Sequence, residues 1–416
     1  MKRLLVKTGA CLRGSVSVGG SKNAALPILA ATLLCDGPCI IGNLPRIRDV
    51  ERMLSILLHM GCTVEWLDPK TCRIDSCGAA VPDAPDPLTE DLRASSYLLG
   101  ASLGRFGEGR IGKIGGCDFG GRPIDQHIKA FAALGGSVCL SEEEITVCAP
   151  ALLGASVDFD TVSVGATVNA ILAAVRAKGE TVLFHAASEP HVLDLADFLR
   201  AAGADIRGAG TGVIRIRGVE RLHGCAYAVI PDMIEAGTYL LAAAATRGAL
   251  SARGIPPAQL RPLTEKLRQM GADVDLEENA IHVFAPKKLS AVSISTRPYP
   301  GFPTDLQPQM VAALSVAEGV GCVRENVWHK RFRYVEELIK MGAGIRVFDN
   351  RATVVGASLH GATVNVPDLR AGAALLIAAC AAEGESVLCG AEPITRGYED
   401  IVPKMQALGA DIVCTD

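Results

Sequence analysis

Apolar residues recur along the chain at spacings of three and four, then in β-branched runs, in one order repeated six times. The helical spacing is plain in Leu263-Leu267-Met270 and in Val335-Leu338-Ile339, and the Val/Ile-rich runs that follow read as strands. One phrase ends a helix with Leu or Met (once Ala), then Gly, a small residue and a strand. It falls at Met60-Gly61-Cys62, Leu134-Gly135-Gly136, Ala202-Gly203-Ala204, Met270-Gly271-Ala272, Met341-Gly342-Ala343 and Leu408-Gly409-Ala410. The Gly is predicted to be a helix C-cap, because it takes the left-handed conformation at little cost. A second phrase, an Ala/Leu helix followed by Gly and a strand, is placed at Gly37, Gly109, Gly179, Gly248, Gly319 and Gly384. The phrases alternate with a period of about 70 residues, and each unit reads helix, strand, helix, strand, strand.

Six units group naturally as two lobes of three. The cut falls after the third, near Tyr227 to Ile230, so that 21–229 forms one lobe and 1–20 with 230–416 forms the other. The leading strand, Leu4 to Val18, precedes the first unit. A terminal strand must pair somewhere, and it is expected to complete the second lobe. The chain would then cross between lobes twice, near residues 20 and 230. Such a crossing is a hinge, and a cleft beside a hinge is the usual place for a ligand.

Composition narrows this picture. A chain of 416 residues is too long for one ordinary core. With 49% apolar but only 4% aromatic residues, small side chains must fill the interior, which suits helices packed closely against sheets. A net charge of −4 with mixed signs argues against a nucleic-acid or membrane-surface partner. The 14 cysteines are scattered without a CxxC pair, and neither Cys35/Cys39 nor Cys72/Cys77 has a His cluster nearby, so no metal site is expected. They read as mostly buried free thiols in a reducing, cytoplasmic setting. The N-terminus lacks the apolar run of a signal peptide, and no apolar stretch reaches membrane-spanning length.

Several stretches carry candidate chemistry. Gly19-Gly20-Ser21-Lys22-Asn23 joins the first strand to the first helix. Glycines admit a ligand near the backbone, the helix start presents unpaired N–H groups, and Lys22 adds a full charge, which together suit a phosphate. A plain turn with an exposed Lys has the same pattern, and the P-loop spacing is absent. Gly112 to Pro123 holds five glycines around Cys117 and ends on Arg122, the composition of a lid. A thiol near cations can serve as acid, base or nucleophile; the alternative is that Cys117 is one more small buried residue, but a Gly-rich loop is a poor place to bury a side chain.

Arg297 to Asp305 is stiffened by three prolines and presents one carboxylate. That suits a general base, while Thr304 or Asp305 simply capping the next helix is the commoner pattern. Arg93, Arg331, Arg370 and Arg396 stand where loops meet elements. Singly each reads as a surface ion pair, but together they could converge on a small anion. Ser163-Val164-Gly165-Ala166-Thr167 opens a helix, either as an ordinary N-cap or as a diphosphate cradle.

Taken together, SKNAALP (21–27), LRAS (92–95), GGC (115–117), GRPID (121–125), SVGAT (163–167), PGFPTD (300–305), DLRA (368–371) and RGYE (396–399) resemble the enolpyruvyl transferases, closely their UDP-N-acetylglucosamine 1-carboxyvinyltransferase branch. The resemblance spans nearly the whole chain. It implies a two-lobed inside-out α/β barrel, with three βαβαββ-type repeats per lobe. It also implies transfer of the enolpyruvyl group of phosphoenolpyruvate to UDP-N-acetylglucosamine, without a metal or organic cofactor, by a monomer or weak oligomer. By resemblance, Lys22, Arg122 and Arg396 hold the phosphate of phosphoenolpyruvate, with Asn23 beside them, and Arg331 and Arg370 lie near its carboxylate. Arg93 is another cleft Arg. Asp305 takes the proton of the sugar 3-hydroxyl, and Cys117 is the lid thiol that fosfomycin alkylates. Asn23, Arg93, Arg122, Pro123, Ile124, Asp125, Ser163, Val164, Gly165, Asp305 and Val327 match sugar-nucleotide contacts.

The chain departs from the family pattern at Ser188, Met233, Lys330 and Thr395, where basic, Arg, Asn and Asp residues are usual. These positions touch the supporting shell rather than a principal catalytic group. Two other functions therefore stand beside the first: transfer to another acceptor such as shikimate 3-phosphate, and binding of sugar nucleotide without turnover.

Overall fold

The computed structural model describes residues 2–7, 9, 11–82, 86–90, 92–112, 124–285 and 289–415. These divide into two compact units, one from residues 20–230 and the other from 2–19 with 231–415. The buried apolar residues fall into two separate clusters, one per unit.

The first unit carries helices α1 (Lys22–Ala31), α2 (Arg48–His59), α3 (Tyr97–Phe106), α4 (Asp125–Ala133), α5 (Val164–Ala174) and α6 (Pro190–Ala201). The second carries α7 (Met233–Ala245), α8 (Arg261–Gln269), α9 (Gln307–Leu314), α10 (Val335–Lys340), α11 (Leu369–Ala381) and α12 (Ile401–Ala407). Odd-numbered helices are the buried ones. Ala166 to Ala174 of α5 and all of α9 are buried, whereas α2 buries only the face of Val50, Met53, Leu54, Ile56 and Leu57 with Asp49. Strands alternate, as in Val213–Arg217, where only Ile214 and Ile216 are buried. A sheet patterned this way packs one face on the helices and leaves the other to solvent. The helices thus lie inside and the sheets outside.

Small residues permit this arrangement. A Cβ at Gly100 of α3 would stand 2.6 Å from the Asn169 carbonyl oxygen, and one at Gly104 would stand 2.8 Å from that of Leu172. The helices α3 and α5 therefore approach at backbone distance, and Asn169 Oδ1 accepts the N–H of Gly100 at 2.9 Å. That contact ties the first turn of α3 to α5.

All six glycines of the first repeated phrase have positive φ, from 91° to 105°. The second phrase is less uniform than its spelling. Gly37, Gly179, Gly319 and Gly384 are left-handed, but Gly107 and Arg247 take that role in the other two repeats. Gly109 and Gly248 serve instead as points of close approach. A Cβ at Gly248 would lie 2.0 Å from the Leu12 carbonyl oxygen, and one at Gly109 would lie 2.9 Å from Ser102 Cβ.

The leading segment was expected as one strand and is two. Arg13–Ser17 runs parallel to Ala249–Arg253 in the sheet of the fourth repeat. Arg3–Val6 pairs antiparallel with both Ser386–Cys389 and Ile412–Thr415. In the fifth repeat the corresponding middle strand, Arg351–Val355, comes from the repeat itself. The sixth repeat lacks that strand, and the N-terminal residues fill its place.

Among the described residues no helix is long and apolar enough to cross a membrane, and no His, Cys, Asp and Glu cluster is arranged to hold a metal ion.

Candidate active site

In the second unit the Pro-rich segment runs from the cis Tyr299–Pro300 peptide into a short 3-10 helix, Thr304–Leu306, and then α9. Neither Thr304 nor Asp305 caps a helix with its side chain. Asp305 instead faces two arginines. Its Oδ1 accepts from Arg331 Nη2 at 3.1 Å, and its Oδ2 accepts from Arg370 Nε and Nη2 at 3.2 and 3.0 Å. The arginine side chains are 2% and 4% exposed, while that of Asp305 is 29% exposed. One partly exposed carboxylate thus stands in front of two buried cations. Burial pulls the pKa of Arg370 down, but Asp305, then Tyr398 and Asp232, more than reverse this, and the guanidinium stays charged. Its Nη1 is buried and makes no hydrogen bond among the described residues. A charged donor in that state is costly unless a ligand supplies an acceptor.

Local sequence sets these positions. Asp368 caps α11 by accepting the N–H groups of Arg370 and Ala371, so Arg370 lies in the first turn. Arg331 also donates to the Thr304 carbonyl at 3.4 Å. Arg396 ends the 3-10 helix Glu392–Arg396, and the neighbouring Tyr398 lies under the Arg370 guanidinium, 5.3 Å from ring centroid to Cζ.

Glu325 is a supporting residue that the repeats did not single out. Its buried carboxyl group accepts from Thr296 Oγ at 2.8 Å, Thr304 Oγ at 3.0 Å, and the N–H groups of Val327 and Trp328 at 2.8 and 3.2 Å. It therefore ties the residue before Asp305 to the loop holding Val327. All its partners donate. Glu325→Gln would turn an amide NH₂ toward some of them, leaving buried donors unpaired. We expect a loss of about 2 kcal/mol of stability, measured by urea unfolding, together with a fall in activity. An unchanged midpoint would show that the amide is accommodated.

In the first unit, Lys22 opens α1 and its Nζ lies 3.4 Å from Oδ2 of the buried Asp49 in α2. Asn23 follows it in the same first turn. Gly20 is required by a neighbour within the unit, because a Cβ there would sit 1.7 Å from the Asn43 carbonyl oxygen. Ser163 is a true N-cap of α5, its Oγ accepting from Ala166 N–H at 3.3 Å, and Val164 and Gly165 follow in the first turn.

His127 of α4 reaches that turn. A Cβ on Gly165 would be 2.7 Å from His127 Nε2, so the missing side chain makes room for the imidazole. Arg93, in the 3-10 helix before α3, and Asp125, at the start of α4 after Ile124, are the charges that His127 senses. The structure thus gathers Arg93, Asp125 and the Ser163–Gly165 turn around a histidine the sequence did not flag. Cys117, Arg122 and Pro123 lie outside the described residues.

Burial, then the Arg93 charge, lowers the His127 pKa from 6.5 to about 4. A depressed pKa means the folded state holds the neutral ring. The stability this brings is present above pH 6.5 and is lost as pH falls toward 4, by about 3 kcal/mol. His127→Gln should remove that slope relative to wild type in urea melts at pH 7 and pH 4. Parallel curves would sink the assignment.

The chain matches the model of the EPSP synthase (3-phosphoshikimate 1-carboxyvinyltransferase) family over residues 6–405. It is 47% identical to UDP-N-acetylglucosamine 1-carboxyvinyltransferase 2 of Clostridium acetobutylicum, with 99% of each chain covered. It is 46% identical to a protein of that name from Clostridium botulinum, covering 99% of this chain and 100% of the relative. Among solved structures, the enolpyruvyl transferase NikO from Streptomyces tendae superposes with a TM-score of 0.89 at 28% identity, covering 100% and 99% of the two chains.

Proposed function

The chain belongs to the EPSP synthase family of carboxyvinyltransferases, and from that premise we propose its reaction. It transfers the enolpyruvyl group of phosphoenolpyruvate to the 3-hydroxyl of UDP-N-acetylglucosamine and releases phosphate, the first committed step of peptidoglycan precursor synthesis. The observation that supports this best is Asp305, partly exposed, held between the buried Arg331 and Arg370.

The reaction adds the sugar oxygen to C2 of phosphoenolpyruvate while the hydroxyl proton leaves and the methylene carbon gains a proton. The resulting tetrahedral intermediate keeps its carboxylate and its phosphate. Loss of a methyl proton and cleavage of the bond between C2 and the bridging phosphate oxygen then restore the double bond and release phosphate. Three proton transfers and an anion that keeps both carboxylate and phosphate are the demands on the protein.

Asp305 is the base for the sugar hydroxyl in this reading. Paired to both guanidiniums, it is a weak base. When the substrate carboxylate takes N–H groups of Arg331 and Arg370, including the unfilled Nη1 of Arg370, Asp305 loses part of its pairing and gains basicity as the proton must move. Lys22, Arg122 and Arg396 hold the phosphate, and Cys117 delivers the proton to the methylene carbon or aids release of product. Cys117 is also the thiol that fosfomycin would alkylate. Arg93, Ile124, Asp125, Pro123, the Ser163–Gly165 turn and Val327 hold the sugar nucleotide, and Asn23 serves both substrates. No cofactor enters the chemistry. The enzyme works in the cytoplasm, as a monomer or weak oligomer.

One assay tests this. Purified protein is mixed with phosphoenolpyruvate and UDP-N-acetylglucosamine, and phosphate is measured. Release confirms the reaction. Release only with shikimate 3-phosphate assigns another acceptor. No release, with sugar-nucleotide binding seen by calorimetry, assigns a binder, the outcome that Ser188, Met233, Lys330 and Thr395 would then explain.

A further inference from the structure

Arg370 must present its donors in fixed directions, yet it rises from the first turn of α11 on a flexible stem. What holds it is visible in the buried polar groups below it. Thr238 of α7 donates its hydroxyl proton to the Ile234 carbonyl at 2.7 Å. That proton is then spent. Tyr398 OH lies 3.0 Å from Thr238 Oγ1, so the phenol must be the donor in this pair. Gln309 of α9 donates through Nε2 to Thr238 Oγ1 and to Tyr398 OH, each at 3.1 Å.

Every proton in the group therefore has one direction, and the phenol oxygen is left as an acceptor. Tyr398 is only 2% exposed and cannot turn toward water. Its ring lies 5.3 Å beneath the Arg370 guanidinium, a cation–π distance. Three elements, α7, α9 and the turn after Arg396, are thus locked to one ring, and the ring supports one guanidinium.

We propose that Tyr398 is a positioning residue for the transfer reaction: pinned by Thr238 and Gln309, it sets the plane of the Arg370 guanidinium so that Nε and Nη2 meet Asp305 while Nη1 is left for the substrate anion. This rests on the reaction proposed above. Tyr398 does not touch the reacting atoms. Its effect passes through Arg370 to Asp305.

Tyr398→Phe keeps the ring and removes the oxygen. The variant should show a kcat about tenfold lower, the scale of one hydrogen bond in a charged network. KM for UDP-N-acetylglucosamine should not change. The acid limb of the kcat–pH profile should move to higher pH, because a loosened guanidinium makes Asp305 easier to protonate. Thr238→Val should move both in the same direction by less, and Thr238→Ser should restore wild-type values.

A folded Tyr398→Phe protein with unchanged kcat overturns the proposal. So does a slower one whose acid limb stays in place, since that marks a merely structural role. If Tyr398→Phe does not fold, Thr238→Val is judged by the same two readouts. Absence of phosphate release in the wild type removes the proposed reaction itself, a result distinct from any ratio of variant to wild type.

Discussion

Asp305→Asn should cut kcat by about 10³- to 10⁴-fold while leaving sugar-nucleotide binding intact. The amide keeps the volume and two polar atoms but cannot take a proton from the sugar hydroxyl. It also no longer balances Arg331 and Arg370, which are buried at 2% and 4% exposure. Asp305→Ala would go further, leaving both cations without their shared counter-ion, and we expect about 3 kcal/mol or more of lost stability there. Phosphate release and urea melts separate the two effects: the Asn variant should be inactive yet folded. A near-normal rate in Asp305→Asn would remove the base from the mechanism.

Arg370→Lys should lower kcat by about 100-fold or more although charge is conserved. The guanidinium donates from Nε and Nη2 to one carboxylate oxygen and holds Nη1 in a third direction. An ammonium is a point charge on a longer search and cannot reproduce three fixed directions in one plane. Because Lys keeps Asp305 partly paired, the fold should survive, with unfolding shifted by only a few degrees. KM for phosphoenolpyruvate should rise as well, since Nη1 is assigned to its anion. Wild-type kinetics in Arg370→Lys would show that charge alone suffices and that planar geometry is irrelevant.

These effects trace to residues whose legibility in the sequence differed. The six helix-ending glycines were readable because their requirement is local: a left-handed turn closes a helix whatever lies beyond it. Gly109 and Gly248 share the spelling of the second phrase but not its conformation. Their need comes from Ser102 and Leu12, and no local pattern records such neighbours. The Pro-rich segment was readable as rigid. That Asp305 would not cap α9 was not, because the alternative partner, Arg370, is 65 residues away. His127 and Glu325 gave no signal at all. A single His in an amphipathic helix and a single Glu after a strand are common, and each matters here only through groups brought to it by packing.

The leading segment shows the same division. Unpaired backbone donors and acceptors require any strand to find a partner, so its incorporation into a sheet followed from the chain alone. Its break into Arg3–Val6 and Arg13–Ser17, serving two sheets, depended on the sixth repeat lacking a strand that the fifth supplies itself.

What the chain by itself determined was the repeat, the alternation of the two glycine phrases, and the kinds of charge available, because periodicity and residue type are properties of short stretches. Only the tertiary structure decided which carboxylate meets which arginine, which donor is left empty, and which tyrosine lies beneath it. Those are distances between segments far apart in sequence, set by how closely small-residue helices pack inside their sheets.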